Sequence, residues 1–230
     1  MIYLGFVLWG ITLYALIVGG LNPAWLLLSL VGYVFFAVVN TAGYHRLFCH
    51  RAYKTSLFWE NTLLYFGACT GYGSTLQWCV AHNEHHAHAD TNEDPHQFKN
   101  FLDVITPNYI NNPYTERRWI RPLLRNRWHL YVHRWYWLFP LSLALLLYFV
   151  GDEKLVIYAY LLPVTTWLFV GTVFNWLAHR DGDITDSQFW AYVMAGEGWH
   201  GKHHRSPGEW KLHDSALSDL GGALIKIIRR

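Results

Sequence analysis

Residues 24–50 read AWLLLSLVGYVFFAVVNTAGYHRLFCH, and the nature of the whole chain turns on this stretch. Ala24 to Gly43 holds no Asp, Glu, Lys, Arg or His, and it matches the ~20 apolar residues that a helix needs to cross a bilayer. His45 and His50 follow at once. A spanning helix therefore delivers imidazoles to one membrane face.

Working outward, Ile2 to Gly19 is a second uncharged run, joined to the first by the turn Gly20-Leu21-Asn22-Pro23. Met1 leads straight into it with neither a basic segment nor a small-residue cleavage site. It reads as an anchor and not as a removable signal. Trp135 to Val150 and Leu155 to Ala178 form another pair around Gly151-Asp152-Glu153-Lys154, with Pro163 placed to kink the last helix. The expected fold is an all-α integral membrane protein with four transmembrane helices in two hairpins, 2–19, 24–43, 135–150 and 155–178. The chain 1–230 is one domain, and 44–134 and 179–230 form a histidine-rich cap with interfacial helices. All of the eighteen Lys and Arg except Lys154 fall on the cap side. By the positive-inside rule the cap, the histidines and both chain ends are cytoplasmic in a multi-pass protein. Ser56 to Leu76 is apolar enough to pass for a fifth span, but crossing there would put His45 and His50 on the opposite side from His82 to His86. An interfacial or re-entrant helix is expected instead.

Composition agrees with this layout. Hydrophobic residues make up 53% of the chain and charged residues only 15%, which argues against a soluble domain. Thirteen Trp, fifteen Tyr and thirteen Phe suit a membrane interface or a large apolar cavity. A net charge of +2, with no basic run interleaved with aromatics along a polar face, makes nucleic acid an unsuitable partner. Cys49, Cys69 and Cys79 lie in no C-x-x-C arrangement, so neither a disulfide scaffold nor a thiolate metal site is expected. Fourteen His remain, and that excess asks for a chemical reason, most often metal.

Four clusters carry it: His45-Arg-Leu-Phe-Cys-His50, His82-Asn-Glu-His85-His86, Asn175-Trp-Leu-Ala-His179 and His200-Gly-Lys-His203-His204. Positions i, i+3 and i+4 share a helix face, so each H-x-x-H-H triplet aims three imidazoles at one locus. His45 and His50 lie roughly 140° apart on a regular helix and converge only if it ends or unwinds between them. A single H-x-x-H-H can be a helix face that happens to be polar. Two copies together with H-x(4)-H on one side of four spans point to metal. His88, His96, His129, His133 and His213 lie outside the clusters and read as hydrogen-bond donors, interfacial side chains or solvated loop residues. Nine imidazoles exceed the needs of one ion and suit two. An all-nitrogen site is compatible with Zn, Cu, Fe or Ni. Structural zinc would have no obvious use here, whereas two irons with an open or water-bearing position at Asn175 would make an oxygen-activating centre. Aliphatic chains are the substrate a membrane supplies.

Those four clusters, together with Asn92-Glu-Asp-Pro-His96 after the second and Gly196-Glu-Gly-Trp before the last, resemble the membrane fatty acid desaturases from about Ala24 to Trp210. The likeness is strongest to the delta-9 acyl desaturase branch, which includes stearoyl-CoA desaturase. The resemblance implies two iron ions (Fe2+) held by His45, His50, His82, His85, His86, His179, His200, His203 and His204, with Asn175 acting through a water. O2 is the implied co-substrate, and a cis double bond in a C16–C18 acyl chain is the implied product. Arg46 and Glu197 are candidate orienters of ligating imidazoles. Tyr33 and Ala37, four apart on one helix face, match the floor of the acyl tunnel, although ordinary helix packing explains them equally.

The resemblance leaves the acyl carrier open between CoA and a lipid. Relatives from animals grip CoA with a segment before the first span, whereas this sequence starts directly in its first apolar run, so that mode of CoA recognition is not expected. The stretch Arg117 to Arg134, threaded with Trp119 and Trp128, suits either a phosphate-bearing headgroup or anionic lipid. With no fused haem or iron–sulfur domain in the sequence, electrons are expected from a separate ferredoxin or b-type cytochrome. Two rival readings stand beside this one. Hydroxylation on the same centre is the first. The second is a non-catalytic membrane protein that binds or carries metal, against which stands the lack of ionisable residues within the spans.

Overall fold

The computed structural model describes residues 9, 10, 12–14, 16, 17, 22–89, 91–94, 117–179 and 184–230. In chain order its main helices are α1 (Pro23–Val39), α2 (Leu57–Ala68), α3 (Thr75–His88), α4 (Arg127–Trp135), α5 (Leu138–Val150), α6 (Leu162–His179), α7 (Gln188–Val193), α8 (His200–Arg205) and α9 (Leu220–Ile228). No strand occurs among the described residues. Two isolated β-bridges, Thr55 with Arg229 and Asp186 with Trp199, pin loops together.

Asn22 starts α1 by accepting a hydrogen bond from the Ala24 N–H at 2.9 Å, and Pro23 sits where a missing N–H costs nothing. The helix does not stop near Gly43. It runs on as a π-helix, Asn40–Cys49, giving one apolar rod of 27 residues, Pro23–Cys49. Its counterpart is Glu153–His179, also 27 residues, and both are long and apolar enough to cross a membrane. Leu27, Leu30, Val31 and Phe35 on α1 are exposed, as a lipid-facing stripe requires, while Phe36, Ala37 and Val39 face inward.

Pro163 makes itself felt one turn before its own position. The rod opens into a π-turn at Ile157–Leu161, where the Leu162 N–H reaches back to the Ile157 carbonyl. Proline has no N–H to continue the ladder, and the wider turn absorbs the mismatch. The Tyr158 carbonyl accepts from Ser29 Oγ of α1 at 2.7 Å. Gly32 lets α1 come this close, since a Cβ there would sit 2.8 Å from the Ala159 carbonyl oxygen and from the Pro163 ring.

The expected span 2–19 lies mostly outside the described residues. Its described positions are helical, and Thr12 meets Thr165 of α6 at 3.2 Å between hydroxyl oxygens. The expected span 135–150 is shorter than the sequence suggested. Tyr136 and Trp137 form a turn, and α5 keeps 13 residues, about 20 Å at 1.5 Å per residue. Ser56 to Leu76 forms no single rod either. α2 begins at the Ser56 cap and ends at Ala68, and the chain turns through Gly71 (φ 84°) and Gly73 (φ 77°). Ser74 then caps α3. These two helices cradle the wholly buried π-segment, with Tyr44, Phe48, Leu63, Leu64, Val132 and Ile225 in one apolar cluster.

Candidate metal centre

The first pair of histidines is brought together by the π-helix. The expectation that the helix ends or unwinds between His45 and His50 is corrected here: it widens. In a π-helix the N–H of residue i+5 bonds to the carbonyl of residue i, and the His50 N–H meets the His45 carbonyl at 3.1 Å. Residues five apart are then brought nearer to one face than on a regular α-helix, and the two rings lie 4.9 Å apart.

Nine ring nitrogens gather into two adjoining groups. One holds His45, His50, His82, His86 and His203, the other His85, His179, His200 and His204, with the ligating atoms of each group within 4.8 Å of one another. Each triplet is shared between groups: α3 sends His82 and His86 one way and His85 the other, and α8 divides His203 from His200 and His204. His50 and His82 meet at 2.9 Å between Nε2 atoms, so α2 and the turn after it carry the chain back to the same face. Asn175, four residues before His179 on α6, lines the cavity beside them.

These nitrogens have the spacing a metal ion needs. Glu197 Oε2 lies 2.7 Å from His45 Nδ1, and Asp94 lies 2.9 and 3.0 Å from His85 Nδ1. Each carboxylate holds the proton on Nδ1 and leaves Nε2 as a bare lone pair facing inward. Within the groups Nε2 atoms approach to 2.9 Å (His45 and His203), 3.0 Å (His203 and His86), 3.1 Å (His86 and His82) and 2.8 Å (His179 and His200). Where both rings present a lone pair, as the ligating tautomer requires, such distances are repulsive unless a cation lies between them. Ligands at right angles around an ion with metal–nitrogen distances of about 2.1 Å would be about 3.0 Å apart. The residues present therefore fit two metal ions.

Electrostatics agree. Burial first, then the neighbouring imidazoles, push His50, His82, His86, His200 and His203 well below the ordinary imidazole range, and His204 down to about 2. The rings stay neutral, which is the ligating form. Burial would raise the Glu197 carboxyl, but His45 and Arg46 beside it turn the net shift downward.

A cavity opens from the centre along α6. His45, His82, His200 and Glu197 stand at its metal end, and Asn40, Tyr72, Trp78, Trp167, Phe174 and Met194 form its walls. Gly171 makes room for Tyr72, whose hydroxyl would lie 2.6 Å from a Cβ there. Trp78 stacks on His82 with centroids 4.7 Å apart and planes within 8°. Tyr33 and Ala37 pack behind this wall. Tyr33 donates to the Val193 carbonyl at 3.0 Å and touches Trp167, and Ala37 lies in the same apolar cluster.

Of the histidines outside the clusters, His129 meets the Thr75 hydroxyl at 2.8 Å and His133 the Ser74 hydroxyl at 2.7 Å, fastening α4 to the start of α3. His88 pairs with Glu84 and Glu93, and His213 stacks on Trp199. Pro95 and His96 lie outside the described residues. Asp94, next to them in sequence, holds His85, and Trp78 braces His82. Neither role was foreseen, although a carboxylate shortly after a histidine triplet is a readable signal.

His129 also gives a pH prediction. Burial lowers it from 6.5 to about 4, so between these values the unfolded chain binds a proton that the folded chain refuses. Stability therefore falls as pH drops below 6.5, by about 2 kcal/mol at pH 5 from this ring. Thermal melts in detergent should show a shallower loss between pH 7 and pH 5 for His129→Asn than for the parent, and equal slopes would refute the assignment.

Two rods long and apolar enough to cross a membrane carry imidazoles to one end, and short helices bring the rest, which defines a helical protein with two histidine groups that could each hold a metal ion. The chain belongs to the fatty acid desaturase family, whose pattern matches residues 20–224. It is 26% identical over 180 residues to the sn-1 stearoyl-lipid 9-desaturase of Anabaena variabilis, covering 71% of this chain and 65% of that protein. It is 28% identical over 178 residues to the palmitoyl-monogalactosyldiacylglycerol delta-7 desaturase of Arabidopsis thaliana, covering 71% and 48%. With acyl-CoA desaturase 1 of Saccharomyces cerevisiae it shares 31% identity over 206 residues, covering 80% and 40%. The matched region thus spans less than two thirds of the length of each of these relatives.

Proposed function

We propose that this chain is an O2-dependent diiron fatty acyl desaturase, an oxidoreductase that introduces a cis double bond, at delta-9, into a C16–C18 chain. The observation that carries the reading is the pair of imidazole groups at the end of an aromatic-walled cavity. Two irons bound there would supply oxygen activation and the removal of hydrogen from unactivated methylenes. The protein's own part is positioning. Glu197 and Asp94 keep His45 and His85 in the tautomer whose Nε2 faces inward. Asn175 lines the cavity together with His45, His82 and His200, where its amide would suit holding a water. Trp78, Trp167, Phe174 and Met194 exclude bulk water and guide an acyl chain, so that the distance from headgroup to metal selects the methylenes that react.

Delta-9 rests on the sequence likeness and on the 9-desaturase activity that names the Anabaena relative; the Arabidopsis relative is a delta-7 enzyme, so regiochemistry varies among proteins this similar. The acyl carrier is a lipid or CoA, and the electron donor is a separate ferredoxin or b-type cytochrome. The same reading completes the topology as a single domain: 2–19 and α5 join the two long rods as four spans, and the cap and both ends face the cytoplasm. Trp135 and Trp137 both precede α5, as interfacial aromatics do, and a span this short is accommodated by a locally thinner bilayer.

Expression in a host with a matching reductase, followed by double-bond mapping of total fatty acids, tests the proposal. New alkene is expected, and hydroxy acids without alkene would establish the hydroxylase instead. Tyr33→Ala, which removes the ring behind Trp167, should shift the product profile toward longer chains. An unchanged profile would assign Tyr33 to helix packing.

A further inference from the structure

Arg46 follows a proposed metal ligand in the chain, is fully buried, and faces two carboxylates from distant parts of the sequence. Its Nη2 lies 3.3 Å from Glu197 Oε1 and its Nη1 lies 2.8 Å from Asp219 Oδ1. The other Glu197 oxygen holds His45 Nδ1 at 2.7 Å. Asp219 is itself immobilised: Oδ2 accepts from the Leu212 N–H at 2.7 Å, and Oδ1 from the Gly222 N–H at 2.9 Å, where Asp219 caps α9. The backbone is shaped around this chain of contacts. Gly196 has a φ of +113°, and a Cβ there would collide with the Asp219 carboxylate and lie 3.0 Å from Arg46 Nη2.

We infer that Asp219 is a positioning residue for the five-histidine group, acting on His45 through Arg46 and Glu197. The inference rests on the proposed metal reading. Its physical basis is competition for one guanidinium. With Asp219 charged, Arg46 is shared between two carboxylates, and Glu197 keeps one oxygen for His45. With that charge gone, Arg46 Nη1 keeps only the Trp210 carbonyl at 3.0 Å, the guanidinium is free to turn further toward Glu197, a bidentate pairing becomes available, and the Oε2 contact that orients His45 is weakened. Loss of such a partner lowers metal affinity by about ten- to a hundredfold. The four-histidine group takes its carboxylate from Asp94 and has no part in the relay.

The test is anaerobic Fe(II) titration of the full-length, metal-free protein in detergent, with metal stoichiometry and the spectroscopic signature of each site as readouts. Asp219→Asn removes the charge and keeps a single acceptor oxygen, so one of the Leu212 and Gly222 N–H groups loses its partner; the site-by-site readout separates that structural cost, which favours neither metal group, from the relay. The parent should bind two ions, and Asp219→Asn should bind one at unchanged affinity and the second about ten- to a hundredfold more weakly. Glu197→Gln should do the same, and the double variant should be no worse than the poorer single, because both cut one path. Asp214→Asn, an exposed partner of Lys211, should match the parent. Two ions at parental affinity in Asp219→Asn, equal weakening of both sites, or additive losses in the double variant would overturn the relay alone. A parent that binds no iron would overturn the metal reading and the relay with it. If Asp219→Asn fails to accumulate, Arg46→Lys decides the matter, since a lysine keeps the charge but cannot bridge both carboxylates; two ions at parental affinity there would also overturn the relay.

Discussion

His203→Ala is expected to leave a protein that still inserts into the membrane but forms no measurable product and retains less iron. His203 is fully buried, and its Nε2 lies 2.9 Å from that of His45 and 3.0 Å from that of His86. It is thus the member of the five-histidine group supplied by α8, the helix that also gives His200 and His204 to the other group. Removing it deprives one ion of a ligand and loosens the bond between α8 and the π-segment. A lost orienting partner already costs about ten- to a hundredfold in metal affinity or activity, so a lost ligand should cost at least that much. His213→Ala supplies the comparison. That ring stacks on Trp199 and belongs to neither group, and its removal should leave product and iron nearly unchanged. Full activity with two irons in His203→Ala would remove the last triplet from the centre.

Gly67→Val should be nearly as severe, although it touches no histidine. A Cβ at Gly67 would run into the Tyr44 ring, and Tyr44 is completely buried, with its hydroxyl donating to the Gly73 carbonyl at 3.0 Å. The ring has nowhere to go. Tyr44 precedes His45 in the chain and lies 6.0 Å, centroid to centroid, from Trp78, which stacks on His82. Forcing it aside displaces two members of the five-histidine group together. Overpacking of this kind costs about 1–3 kcal/mol in a closed core. The expected result is a lower melting temperature with iron lost mainly from that group, read by calorimetry and metal analysis. Gly67→Ala should show the same effects in milder form, and normal iron in both variants would argue that Tyr44 does not set the position of His45.

Much of this was legible in the sequence, for physical reasons. Uncharged runs of bilayer length need no tertiary information to be read, and the rods Pro23–Cys49 and Glu153–His179 cover the runs 24–43 and 155–178. The triplets were legible because i, i+3 and i+4 converge on any helix. Their division between two groups was not, because it depends on how α3 and α8 cross. The start of the third apolar run escaped for another reason: Trp135, Tyr136 and Trp137 are apolar enough to extend a span on composition, yet the backbone turns at Tyr136. Asp219 left no signal at all. Its carboxylate reaches the centre only by way of Arg46, 173 positions away.

The π-helix at Asn40–Cys49 makes the first histidine pair sensitive to chain length more than to chemistry. Exchanging Leu47 for another apolar residue alters packing and leaves the count of peptide units between His45 and His50 intact. Deleting one residue there removes the extra unit that opened the turn, and the backbone can close to ordinary i→i−4 pairing. His50 would then sit four positions from His45, with every downstream residue rotated and drawn toward α1. In this segment an insertion or deletion should therefore be far less tolerated than a substitution, and the spacing of the pair is a ruler cut to the length of one wide turn.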